Sequence, residues 1–182
     1  MNITEKQFEE VTAICRKVFI DKLQDYGASW RILRPTSVTD QIFIKAKRIR
    51  TLETKKERMV DEGVFSEFIG IVNYGIIGLI QLELNYADLV DVDSEKAIEM
   101  YDKYMDMTIE LMNAKNHDYD EAWRSMRISS YTDLILTKIY RTKEIEENEG
   151  MTIASEGIDA NYMDMINYAL FGLIKLHFPE EN

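Results

Sequence analysis

Twelve of the 27 positions from Lys22 to Arg48 carry the same residue as the position 93 further along the chain. Asp25-Tyr26-x-x-x-Trp30-Arg31-x-x-Arg34 returns as Asp118-Tyr119-x-x-x-Trp123-Arg124-x-x-Arg127. Behind it, Ser37-x-Thr39-Asp40-x-Ile42-x-x-Lys45-x-x-Arg48 returns as Ser130-x-Thr132-Asp133-x-Ile135-x-x-Lys138-x-x-Arg141. After a one-residue slip the match resumes: Glu62-Gly63 with Glu156-Gly157, Asn73-Tyr74 with Asn167-Tyr168, and Gly78-Leu79-Ile80 with Gly172-Leu173-Ile174. A duplication on this scale constrains the architecture before any single residue does, because whatever one copy folds into the other must also fold into.

Each copy reads as three helices. In the first, Thr4 with Gln7 has the form of a capping box, and Phe8, Val11, Cys15, Val18 and Phe19 follow at helical spacing. In the second, Ser94 precedes a helix bearing Tyr101, Tyr104, Met105, Thr108, Leu111 and Met112. The Asp-Tyr-x-x-x-Trp-Arg segment reads as a connecting loop, marked by Pro35 in the first copy. A second helix is expected from Ser37 or Ser130, with Asp40 and Asp133 in its opening turns, where the helix dipole favours a carboxylate; it should run to about Val60 or Glu149. A third is expected from Val64 to Tyr86 and from Ile158 to Phe178. In it Gly75 and Gly78, matched by Ala169 and Gly172, keep one side slim enough for close helix contact. The expectation is an all-α bundle of six main helices, two tandem three-helix repeats related by a pseudo-two-fold. The first repeat covers 1–86, an acidic linker 87–93, the second repeat 94–178 and a fraying tail 179–182, with both repeats packed as one unit.

Composition narrows the classes. A net charge of -11 opposes tight non-specific binding to duplex nucleic acid, which depends on neutralising phosphates. It leaves room for a small phosphorylated ligand held by local cations. A single cysteine, Cys15, excludes an internal disulfide framework. No basic segment followed by an apolar stretch opens the chain, and the longest apolar run, around Ile76–Ile80, reads as a buried helix face rather than a span. The reading is a cytoplasmic protein with no membrane partner, a homodimer being open. Glycine-rich phosphate loops and the GxSxG, CxxC and HExxH motifs are absent from the sequence.

Three constellations carry chemistry. Glu156, Asp159, Asp164 and Asn167 fall on one arc of the last helix: at about 100° per residue, Asp164 lies about 80° from Glu156, Asn167 about 20°, and Asp159 about 60° the other way. Grouped carboxylates with an amide are hard oxygen ligands suited to Mg²⁺ or Mn²⁺; equally, Glu156 and Asp159 suit a helix start for dipole reasons. The first copy offers Glu62, Ser66, Gly70 and Asn73 in their place, with Glu67 nearby. If this surface chelates a metal, the second copy is therefore the competent one. Lys45 and Arg48, repeated as Lys138 and Arg141, share a helix face and suit either a phosphate or carboxylates of the third helix. In the loop, Trp123 or Tyr119 would stack a base while Arg124 or Arg127 reaches a phosphate, with Arg31 as the first-copy equivalent. Alternatively, Trp30 and Trp123 anchor the core.

The run Lys115-Asn116-x-Asp118-Tyr119-x-x-x-Trp123, the Lys-x-x-Arg helix and Glu156-x-Ile158-Asp159-x-x-x-x-Asp164-x-x-Asn167-Tyr168-Ala169 together resemble the nucleotide modification associated domain type 1 family, in a tandem form covering nearly all of the chain. Members show a Tyr-Gly-Asp-Ser-Trp loop, which Tyr26-Gly27-Ala28-Ser29-Trp30 approaches and Tyr119-Asp120-Glu121-Ala122-Trp123 leaves. Gly70, and Ala160 where an Asp is usual, are further departures. The resemblance implies work on nucleotides and a distant likeness, at fold level, to MazG-like all-α nucleoside triphosphate pyrophosphohydrolases, although the Glu-Glu-x-x-Glu motif of those enzymes is absent. Three functions follow as expectations. In a Mg²⁺-dependent nucleotide phosphohydrolase, Glu156, Asp159 and Asp164 would ligate metal, Lys138, Arg141 and Arg124 would hold phosphate, and Asn167 would orient the ligand. A non-catalytic nucleotide-binding module would use the same cations and their first-copy counterparts Lys45, Arg48, Arg31 and Asn73. In a helical interaction scaffold the repeated polar residues would only close the pseudo-dimer.

Overall fold

Helical periodicity and scarce punctuation give six long helices. The computed structural model describes residues 1–55 and 61–181, the side chains of Asp61 and Glu62 excepted. The helices are α1 (Ile3–Tyr26), α2 (Pro35–Thr54), α3 (Asp61–Leu84), α4 (Ser94–Tyr119), α5 (Ile128–Glu147) and α6 (Ile158–His177). Short 3₁₀ turns, Ser29–Ile32 and Ala122–Ser125, carry the two tryptophans. No strand occurs among the described residues, so the fold is all-α, as expected.

Boundaries differ from the expectation in instructive ways. The capping box is Asn2 with Glu5, each side chain bonded to the other's backbone N–H at 2.8 Å, two residues earlier than Thr4 and Gln7. Asp93, not Ser94, caps α4 by accepting from the Lys96 N–H. Pro35 lies inside α2 at its first turn, where a missing N–H costs nothing. Asp40 and Asp133 do not simply complement the dipole: they pair across the molecule with Lys143 at 3.2 Å and Arg50 at 2.8 Å. The expected end of the second helix near Val60 lies outside the described residues. The expected fraying tail is tied down by Glu181, which accepts from the buried Gln7 side chain at 2.8 Å.

α3 and α6 pack most extensively on each other, and α2 and α5 flank them and meet. Two glycines make the central approach possible. A Cβ on Gly78 would lie 2.9 Å from the Tyr162 ring, and one on Gly172 would lie 2.8 Å from Phe68, its counterpart across the pseudo-dyad. α3 contains the 22-residue stretch Gly63–Leu84, long and apolar enough by composition to span a membrane, contrary to the sequence reading. Most of it is buried against the other helices, which accounts for that composition.

The outer helices cross over: α1 packs more on α6 than on α3, and α4 more on α3 than on α6. Phe8 of α1 meets Trp123 and Phe171 edge-on at 6.0 Å, and Phe19 stacks on Tyr101 of α4 at 4.4 Å. Each repeat thus completes the core of the other.

Candidate functional site

In the second copy three helices bring charge to one point. Lys115 of α4 donates to Asp164 Oδ1 at 2.6 Å, and Lys138 Nζ of α5 lies 2.8 Å from Asp164 Oδ2. Asp164 is buried, and a carboxylate there is costly unless paired; here two ammonium groups pair it. Burial pulls the Lys115 pKa down, but the hydrogen bond to Asp164 and the charges of Asp164 and Glu156 outweigh it and leave it raised. Tyr168 is raised by burial and then by Asp164, against the opposing pull of Lys115 and Arg141. Arg141 is exposed beside this cluster.

The expected metal triad does not assemble. Among the described residues no three His, Cys, Asp or Glu side chains form a group that could hold a metal ion. The helical wheel does not apply to Glu156, because α6 begins only at Ile158, and it records no axial distance: the five residues from Asp159 to Asp164 alone rise about 7.5 Å. Asp159 turns back on the helix start, its Oδ1 3.1 Å from where a Gly157 Cβ would sit, and Glu156 is exposed ahead of the helix. With both Asp164 oxygens facing lysines, the donor set does not fit Mg²⁺ or Mn²⁺.

The first copy solves the same charge problem differently. Gly70 stands in place of Asp164, and Glu67, one turn earlier, takes over: Arg48 donates to its Oε1 at 2.5 Å and Lys45 lies 3.8 Å from Oε2. In both copies, then, the repeated Lys-x-x-Arg face meets a carboxylate of the third helix. Of the Glu62 side chain, the remaining member of that line, nothing is described.

What the first copy has is a pocket. A cavity of about 470 Å³ lies between α1, the 3₁₀ turn and α3. Leu23, Tyr26, Trp30, Tyr74 and Ile77 form its apolar walls, with Lys22 and Lys45 among its charged lining. Burial, then Tyr74 and Asp25, raise the Tyr26 pKa. In the second copy the residue equivalent to Ile77 is Phe171, whose ring lies on Trp123 at 4.6 Å and 4° from parallel. A phenyl ring thus packs on the tryptophan of the second copy at the position where Ile77 lines the first-copy pocket. The turns differ too: Gly27, at φ 69°, is replaced by two left-handed residues, Asp120 and Glu121.

The loop residues hold the fold together. Trp30 and Trp123 are 7% and 4% exposed, so both are core anchors, although Trp30 also lines the pocket. Tyr119 is 72% exposed. Arg31 is buried and bridges Asp91 of the linker, Gln81 and the Asn85 carbonyl. Arg124 reaches Thr4 and Gln7 of α1 at 2.9 and 2.8 Å. Arg124 therefore ties its 3₁₀ turn to the other repeat, whereas Arg31 ties its own to the end of α3 and the linker. The turns are held from α3 and α6 in matching fashion: Gln81 donates to the Trp30, Arg31 and Leu33 carbonyls, and Lys175 to those of Arg124 and Met126. Arg127 is exposed at the start of α5. Asn73 is spent on the Cys15 carbonyl and the Tyr101 hydroxyl, and Asn167 donates to the Thr108 carbonyl. Sequence reasoning missed Lys22 and Lys115 as site residues, although they match at the repeat spacing. It also missed the exchange of Ile77 for Phe171, which only the shape of the pocket makes meaningful.

The profile of the nucleotide modification associated domain 1 family matches residues 22–82 and again 115–176, one match per repeat. The chain belongs to that family. No curated protein and no solved structure matches it. The family's domain is thus present twice in one molecule, and its name gives only a loose tie to nucleotides. The two matched segments begin at Lys22 and Lys115, the paired lysines missed from the sequence.

Proposed function

We propose that the chain binds a nucleotide in the pocket of its first copy, as a binding module rather than a metal-dependent hydrolase. The observation that carries this reading is the first-copy cavity itself, lined by Trp30 and Ile77, at a position where the second copy instead stacks Phe171 on Trp123. A volume near 470 Å³ lies within the range usual for small-ligand pockets, roughly 300–1,000 Å³. Aromatic walls suit a base, because each stacked base contributes about 1–3 kcal/mol without demanding one sequence. Lysines beside an apolar wall suit the phosphate end. The hydrolase reading loses its metal triad, and its Lys138 is spent on Asp164.

A melting panel of nucleosides and their mono-, di- and triphosphates, with and without Mg²⁺, tests it. A ligand at 100 times its dissociation constant stabilises by about 2.7 kcal/mol, a shift of several degrees. Ile77→Phe should recreate the plug of the second copy and abolish the shift while the protein still melts cooperatively. A shift that survives Ile77→Phe places the ligand elsewhere, and a Mg²⁺-dependent release of phosphate reinstates the hydrolase.

A further inference from the structure

We infer that the pocket seats one phosphate of its nucleotide between Lys22 and Lys45, beside Gly70, so that the ligand supplies the anion which Asp164 supplies to the matching lysines of the second copy. The inference rests on the nucleotide reading above and adds to it the position and charge of the anionic group.

The duplication supplies the template. Lys22, Lys45, Gly70 and Tyr74 stand where Lys115, Lys138, Asp164 and Tyr168 stand in the second repeat. There, two ammonium groups close on one carboxylate at 2.6 and 2.8 Å. The first copy keeps both lysines and deletes the anion. A Cβ on Gly70 would lie only 2.6 and 2.7 Å from Cδ and Cε of Lys45, so the lysine stem crosses the space that an aspartate side chain would take. Lys45 has little else to hold: Glu67 is 3.8 Å away and already bound by Arg48 at 2.5 Å. Lys22 is exposed and makes no ion pair among the described residues. Both lysines and Gly70 line the cavity, and Lys45 Nζ stands 5.5 Å from the Tyr74 ring, within reach of a base or sugar resting there.

Charge selects the ligand class. With Glu67 set against Arg48, the two lysines leave two uncompensated positive charges, which match the dianion of a single phosphate. A triphosphate would bring further negative charge past Glu67 with no cation assigned to it. The ligand class is a nucleoside monophosphate, the second copy being a version of the site occupied by its own side chain.

Calorimetry on the full chain tests this with nucleosides, their 5′-monophosphates and their triphosphates. The wild type should bind a monophosphate about tenfold or more tighter than its nucleoside, the ratio expected of one charge-assisted hydrogen bond. Gly70→Asp supplies an internal carboxylate, should draw the lysines onto it, and should reduce the monophosphate to the affinity of the nucleoside. Gly70→Asn adds the same bulk without charge and should weaken phosphate binding less than Gly70→Asp does, the difference between the two variants reading the charge. Lys22→Met, on an exposed position, should lose that preference while nucleoside binding persists, and it decides the matter if Gly70→Asp fails to fold. Equal affinity for nucleoside and monophosphate, an undiminished preference in Gly70→Asp, or a triphosphate bound far more tightly would each overturn the proposal while leaving a nucleotide pocket standing. Silence from every nucleoside and nucleotide would overturn both.

Discussion

Asn73 and Asn167 occupy equivalent positions and make the same first bond, to the carbonyls of Cys15 and its counterpart Thr108. Their second bonds part company. Asn73 Oδ1 accepts from Tyr101 at 2.8 Å, whereas the residue equivalent to Tyr101 is Phe8, and Asn167 Oδ1 is buried with no hydrogen-bond partner among the described residues. A buried acceptor left unmatched costs its desolvation, about 1–3 kcal/mol, more than a hydrogen bond returns when made. Tyr101→Phe should therefore cost about 1–3 kcal/mol in urea unfolding, by reproducing at Asn73 what Asn167 already carries. A change within a few tenths of a kcal/mol would mean that the Tyr101 hydroxyl contributes nothing net. The pairing of Asn with a carbonyl one helix away is invisible in a sequence, although the repetition of Asn-Tyr in both copies announces that a partner exists.

The α2–α5 interface repeats a polar pattern about the pseudo-dyad. Thr39 donates to Glu146, and Thr132 to Glu53. Glu146 is half-buried, and burial raises its pKa against the opposing effect of the Thr39 bond. The sign follows from linkage. A carboxyl whose folded pKa lies above its unfolded value binds more protons when folded, so stability is favoured below that window and falls as pH rises through it. The window opens near the ordinary value of 4.5 and extends upward from it. Glu146→Gln retains an acceptor for Thr39 and removes the charge. It should flatten the decline in melting temperature as pH rises above the ordinary carboxyl range, measured against wild type in one buffer series. An unchanged pH slope would show that Glu146 is not desolvated in solution.

On the scale of the molecule, the exchange of first helices matters most. Because α1 completes the face of α6 and α4 that of α3, neither repeat carries a closed core of its own. A chain of residues 1–92 should not persist as a folded monomer: in ultracentrifugation and circular dichroism it should be either unfolded or paired, and the matching 93–182 fragment should restore a cooperative melt. A stable, monomeric 1–92 would contradict the interlocked core. Interlocking also explains how the copies could diverge. One site can be plugged by Phe171 and Asp164 while the other opens around Ile77 and Gly70, provided that the shared core is preserved.

The sequence by itself determined the helical class, the duplication and the slim face of α3 and α6; it left the tryptophans open between core anchor and base stack. Each is a matter of periodicity or of residue size repeated at fixed spacing, and such local properties survive any arrangement of the helices. It also marked Lys45, Arg48, Lys138 and Asp164 as residues in need of partners. Tertiary structure decided which partners, and so moved the candidate site to the other copy. A helical wheel records angle and not axial distance, so Glu156, Asp159 and Asp164 looked gathered although Glu156 precedes the helix and the helix spreads Asp159 from Asp164. Gly70, read as a lost ligand, became the floor of a pocket only when Lys45 was seen lying across it. Whether Ile77 or Phe171 leaves a cavity depends on what Trp30 and Trp123 present to it, which is a property of packed volume and not of order along the chain.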